Sequence, residues 1–169
     1  MLPIYTPLQL IDKSSNGFEI PISWQIPTII LLTLIFRKEV VLNAFSIYIF
    51  FGLFIAPVFH QGGSIGYLLT PNFGYLLGVY PLIKIIDKLN NKEKINVGNF
   101  LKNGFIAICA MHLTGISYNF IQIIFFSQYN IFLYNLGKYS VGKIGYHFLM
   151  LLPLLLLIKP IKHLKRSKK

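Results

Sequence analysis

Residues 56–78 read Ala-Pro-Val-Phe-His-Gln-Gly-Gly-Ser-Ile-Gly-Tyr-Leu-Leu-Thr-Pro-Asn-Phe-Gly-Tyr-Leu-Leu-Gly. An apolar run enters this stretch and another leaves it. Between them stand Pro57, Gly62, Gly63, Gly66 and Pro71, with His60, Gln61, Ser64 and Asn72 as polar side chains. Irregular backbone in a membrane chain survives only where water or other protein satisfies its N–H and C=O groups. The stretch therefore reads either as an external turn or as one wall of a solute cavity.

The flanking runs decide the class. The 169 residues are 54% hydrophobic and 12% charged, with a mean hydropathy of +0.62. A soluble domain carries about twice that share of charge. Apolar runs occupy residues 24–36, 40–58, 71–86, 100–126 and 141–158. Together they predict an all-α integral membrane helical bundle in a single transmembrane domain, residues 1–169, with five visible spans. The first run is short for a span of about 20 residues and contains Pro27; Trp24 at its start suits an interfacial anchor. Glu39 sits in the first turn of the second run, where a helix favours a carboxylate. Thr70 is a natural N-cap and Pro71 a natural first helical residue of the third. Gly74 and Gly78, four apart, allow close approach of a neighbouring helix. Residues 127–139, polar and tyrosine-rich, read as a loop before the last run.

Charge orients the bundle. Arg37 and Lys38 form one basic group, Lys84, Lys88, Lys92, Lys94 and Lys102 a second, and the Lys/Arg residues after Ile158 a third. Of the 16 basic residues only Lys13, Lys138 and Lys143 fall elsewhere. Basic loops stay cytoplasmic, so the basic tail, residues 162–169, is expected inside and in contact with anionic lipid. The segment 1–23 is then external, as are residues 56–70 and the 129–139 connection. The net charge of +11 flanks membrane runs rather than forming a soluble basic face, which excludes nucleic acid as a partner.

Catalysis finds no support. All five carboxylates, Asp12, Glu19, Glu39, Asp87 and Glu93, lie outside the apolar runs, which leaves His60 and His112 without an intramembrane acid partner. No phosphate-binding Gly-rich loop with Lys-Ser/Thr occurs. The single Cys109 lies among apolar residues and reads as a buried, inert thiol. No cofactor or metal is expected, and solute movement through this chain would need an external motor.

The segments Pro57-Val-Phe-His-Gln-Gly-Gly-Ser-Ile-Gly-Tyr67 and Pro71-Asn-Phe-Gly-Tyr-Leu-Leu-Gly78 resemble the signature of the BioY family, most closely its cyanobacterial branch. Met111-His-Leu-Thr-Gly115 resembles that family's His-Leu-x-Gly element. BioY proteins are the biotin-binding S components of energy-coupling factor (ECF) vitamin transporters. The resemblance implies a six-helix fold, biotin as ligand, a transmembrane coupling subunit and two ATPase subunits as partners, and location in the cell membrane. Three departures stand out. No counterpart of the first of six helices, with its small-residue docking surface, is read here, as expected either of a start placed too late or of a lost helix. The family's Gly-Asp pair at the last helix, with a lysine three positions on, is replaced by Gly145-Tyr146 and Leu149. Asn72 stands where threonine is usual.

Biotin offers a ureido ring, an apolar body and a carboxylate. Gln61 and Asn72 each carry a donor and an acceptor suited to the ureido group. Tyr67 and Tyr75 supply flat walls with hydroxyls, and Lys143 is the outward cation for the carboxylate. His112 reads equally as an interhelical bond or a ligand contact, and Tyr146 occupies a position that the resemblance makes ligand-facing. These seven residues form the expected substrate site. An S component for another vitamin and a structural membrane protein without ligand are the alternatives.

Overall fold

The computed structural model describes residues 24–59, 63–92, 96–126, 129–157 and 160. Segments 1–23 and 162–169, and with them the expected external segment and basic tail, lie outside the described residues, as does Gln61.

The described chain is helical. α1 spans Gln25–Ile35 and α2 Lys38–Phe54; a 3-10 turn follows at Ile65–Leu69. α3 (Pro71–Leu77) and α4 (Val79–Lys92) form one broken helix, and α5 runs over Val97–Phe126. α6 (Tyr129–Leu136), a π-helical turn (Gly137–Val141), α7 (Gly142–Leu149) and α8 (Leu151–Leu154) complete the series. Two helical stretches, Val97–Phe125 and Phe132–Leu157, are long and apolar enough to cross a membrane.

Prolines explain the interruptions. Pro27 lies in the first turn of α1, where backbone N–H groups have no intrahelical partner, so it does not interrupt that helix. Pro81 cannot donate to Leu77, and α3 ends there. Pro153 falls where the last apolar run breaks into short pieces.

One connection differs from the sequence reading. Residues 129–141 are helical rather than a loop, and they run directly into α7. No proline occurs between Ser127 and Met150, and Phe132 meets the Phe120 ring of α5 edge-on at 6.3 Å. Polarity alone therefore did not end the helix. Cys109 is half-buried rather than enclosed.

The core is organised on α5. Gly74 and Gly78 face it directly: a Cβ at Gly78 would strike the backbone of Met111, and one at Gly74 the side chain of Tyr118. From the other side Gly115 seats the Tyr75 ring. These three glycines bring α3 and α5 to backbone distance, as the small-residue pattern predicts. Ile30, Leu82, Ile83, Ile86, Phe100 and Ile108 are fully enclosed around them. Outward, Ile47, Phe50, Phe54, Phe120 and Phe125 are exposed, Phe125 at 77%. An apolar rim of this extent suits lipid rather than water.

The motif loop folds back on α2. Ser64 N–H donates to Gly52 O at 3.1 Å. A Cβ at Gly63 would collide with Pro57 Cα and Gly52 O, so only glycine fits there. Ser64 itself has φ 95° and ψ 167°, a region populated almost solely by glycine. Thr70 starts α3 without capping it; its Oγ1 donates instead to Tyr67 O at 2.8 Å.

Candidate functional site: a cavity between the motif loop and α7

A cavity of about 690 Å³ opens between α1, α2, α3, α5 and α7. On the α1 and α2 side Ile29, Leu32, Val41 and Phe45 give it apolar lining and Gln25 and Thr28 polar groups; its near end lies under the motif loop. A few convergent polar side chains on an apolar wall are what a small-molecule site requires.

Aromatic rings close the near end. Tyr48 meets Phe59 edge-on at 5.4 Å, Phe59 lies 4.5 Å from Tyr67, and Tyr67 meets Phe73 at 6.4 Å. Tyr48, Phe59 and Tyr67 all line the cavity. Burial, reinforced by Tyr48 and Tyr139, pushes the Tyr67 hydroxyl up to about 12, so it stays a neutral donor and acceptor. The loop above is tied down from α5: Tyr118 Oη donates to Leu68 O, and Gln122 Nε2 approaches the same carbonyl at 3.5 Å.

α3 contributes Asn72 and Tyr75 to the wall. They lie three positions apart on one helix face. The Tyr75 hydroxyl is already engaged, 2.7 Å from Ser140 Oγ, so this residue presents mainly its ring. The adjoining wall is α7 with the π-helical turn before it. Tyr139, Lys143 and His147 line the cavity at four-residue intervals. Lys143 Nζ rests 5.3 Å from the centre of the Tyr139 ring, a cation–π contact rather than an ion pair. The π turn inserts one extra residue per helical turn and aims Ser140 at α3 and α5.

Behind this wall lies a buried polar chain. His112 Nε2 and His147 Nδ1 are 3.0 Å apart, and His112 Nδ1 is 3.3 Å from Ser140 Oγ. His112 is 2% exposed and does not line the cavity; His147, at 8%, does. Among the described residues no cluster of three or more His, Cys, Asp or Glu could hold a metal ion.

Of the seven residues expected from sequence, the structure brings Tyr67, Asn72, Tyr75 and Lys143 to one cavity. His112 stands one hydrogen bond behind it, and Tyr146 is half-buried and away from its lining. Tyr139 and His147 were not among the expected residues. The available signal was the spacing of Tyr139, Lys143 and His147, four apart, inside an otherwise apolar helix.

The BioY family model matches residues 10–153. The chain belongs to the BioY family. A protein of Lysinibacillus sphaericus named "Probable biotin transporter BioY" is 31% identical over 78 residues, which are 46% of this chain and 40% of that protein. The matched stretch thus spans well under two thirds of that relative. No solved structure matches. In this BioY chain the two Gly-rich segments quoted at the outset form the loop and the α3 wall of the cavity. Neither Gly145 nor Tyr146 lines the cavity; their neighbour His147 does.

Proposed function

We propose that this chain is the substrate-capture subunit, or S component, for biotin in an ECF-type uptake transporter, and that it catalyses no covalent chemistry. The observation that carries the reading is the coincidence of motif and cavity: the segments that carry the BioY resemblance supply Phe59, Tyr67, Asn72 and Tyr75 to the cavity wall. Its mixture of apolar surface, amide, ring and ammonium suits a ligand with an apolar body, a ureido group and a carboxylate.

The topology that goes with this reading has five spans, with the motif loop outside and the C-terminus in the cytoplasm. Charge asymmetry supports it. So does an ion pair between two of the basic groups: Lys38 Nζ at the start of α2 lies 3.8 Å from Asp87 at the end of α4, which brings those ends together. The near end of the cavity, under the motif loop, then lies on the external side. A transmembrane coupling subunit and two ATPase subunits would supply the energy that the chain, without a nucleotide loop, does not.

The test is titration of purified protein with biotin, read by calorimetry and by thermal stabilisation. A ligand that binds only the folded state raises the melting temperature as its concentration passes the dissociation constant. Biotin binding supports the reading. Stabilisation by a different vitamin alone would reassign the ligand, and a well-folded protein that no vitamin stabilises would favour a structural role.

A further inference from the structure

The buried chain behind α7 is not explained by packing alone. Two imidazole nitrogens 3.0 Å apart share a single proton, because two N–H groups cannot face each other at that distance. The contact therefore has one of two polarities. In the first, His112 Nε2–H donates to His147 Nδ1. His112 Nδ1 then accepts from the Ser140 hydroxyl, Ser140 Oγ accepts from Tyr75, and His147 carries its proton on Nε2. In the second, every bond reverses, and His147 Nε2 becomes an acceptor. Nδ1 is engaged by His112, so Nε2 is the ring nitrogen left for a cavity occupant.

The wall beside His147 selects between them. Lys143 precedes it by four residues on the same face of α7 and lines the same cavity. Its ammonium can only donate, and it rests on a tyrosine ring rather than on a carboxylate. A group that satisfies Lys143 must be an acceptor, and an anionic one is favoured. A carboxylate accepts at both oxygens and offers no proton, which fits the first polarity and not the second.

Resting on the biotin reading above, we propose that the ligand's carboxylate lies against α7, held by the Lys143 ammonium and the Nε2–H of His147. The hydrogen-bond chain Tyr75–Ser140–His112 runs in the polarity that this carboxylate selects, and it keeps Nδ1 of His147 engaged while Nε2 presents the proton. His147 is thus a specificity-determining contact, and His112 and Ser140 are positioning residues that act through it.

The experiment compares biotin with biotin methyl ester on the purified full chain, as wild type, His147→Phe, His147→Gln and His112→Phe. The wild type is expected to prefer the free acid. In His147→Phe the affinity for biotin falls about tenfold while that for the ester changes little, so the preference collapses. His147→Gln, whose amide N–H reaches the position of Nε2, recovers much of it. His112→Phe shows a partial loss of the same preference. Nitrogen-15 NMR of histidine-labelled, biotin-bound wild type should report the proton of His147 on Nε2. Equal weakening of acid and ester in His147→Phe would make the residue structural and overturn the proposal, as would a proton on Nδ1. Should His147→Phe not fold, the Gln variant and the tautomer decide in the same directions. Wild type that binds biotin without a carboxylate preference overturns this inference alone; wild type that does not bind biotin overturns the functional reading with it.

Discussion

The two polar walls of the cavity are built by opposite means. The α3 wall stands on glycine: Gly74, Gly78 and Gly115 remove side chains so that α3 and α5 meet at backbone distance, and Gly63 lets the loop close above. The α7 wall stands on side-chain hydrogen bonds. Its π-helical turn and the contacts among Ser140, His112 and His147 place it, and Tyr75 bridges it to α3. Van der Waals contact at a glycine seam is short-ranged and intolerant of volume. A buried hydrogen-bond chain tolerates small shifts but fails when one member is removed. The α3 wall should therefore respond to added bulk, and the α7 wall to lost polar atoms.

The largest expected effect is all-or-none and asks whether both walls face the same side. In a Cys109→Ala background, Ser64→Cys in the motif loop and Lys138→Cys before α7 should each label with a membrane-impermeant thiol reagent from outside. Lys88→Cys near the end of α4 should label only after permeabilisation. Opposite labelling of Ser64→Cys and Lys138→Cys would break the cavity apart.

Next comes bulk at the seam. Gly78→Leu should destabilise the fold by about 3 kcal/mol, because its Cβ meets the backbone of Met111, which cannot rotate away. Thermal unfolding of detergent-purified protein measures this. A melt equal to wild type would mean that α3 and α5 are not seated as described.

A smaller effect separates amide from hydroxyl on the α3 wall. Asn72→Ala should weaken biotin binding by about 1–3 kcal/mol if its bonds to the ligand are buried, or roughly one to two decades. Tyr75→Phe keeps the ring and loses the hydroxyl that meets Ser140 and Asn119. It should lower stability by about 1 kcal/mol and change affinity less than about threefold. A larger loss of affinity in Tyr75→Phe than in Asn72→Ala would reverse the roles assigned to them.

The smallest effect has the opposite sign. Ser64 occupies a backbone region suited to glycine. Ser64→Gly should stabilise the protein by about 1 kcal/mol by relieving that strain. Unchanged or lower stability would indicate that the serine hydroxyl compensates for it.

Residue patterns alone determined much of this protein. The Gly-x-x-x-Gly pair at Gly74 and Gly78, the start of α3 at Pro71, Glu39 in the first turn of α2 and the family motif all depend on neighbours within one or two helical turns. Local sterics and helix electrostatics fix such features before the chain folds. The same locality made Asn72 and Tyr75 legible as a pair on one face. Tertiary structure alone decided the rest. Residues 129–141 look like a loop by polarity, yet they are helical: no proline interrupts them, and Phe132, Tyr139 and Ser140 contact α5 and α3. The π turn then rotates Ser140 towards Tyr75 and His112, a change of phase that no regular periodicity encodes. His112 and His147 are 35 residues apart and become partners only when α5 and α7 pack. A buried hydrogen bond between distant residues gains its strength from the low-dielectric surroundings that packing creates, so the pair has no signature in the chain that carries it.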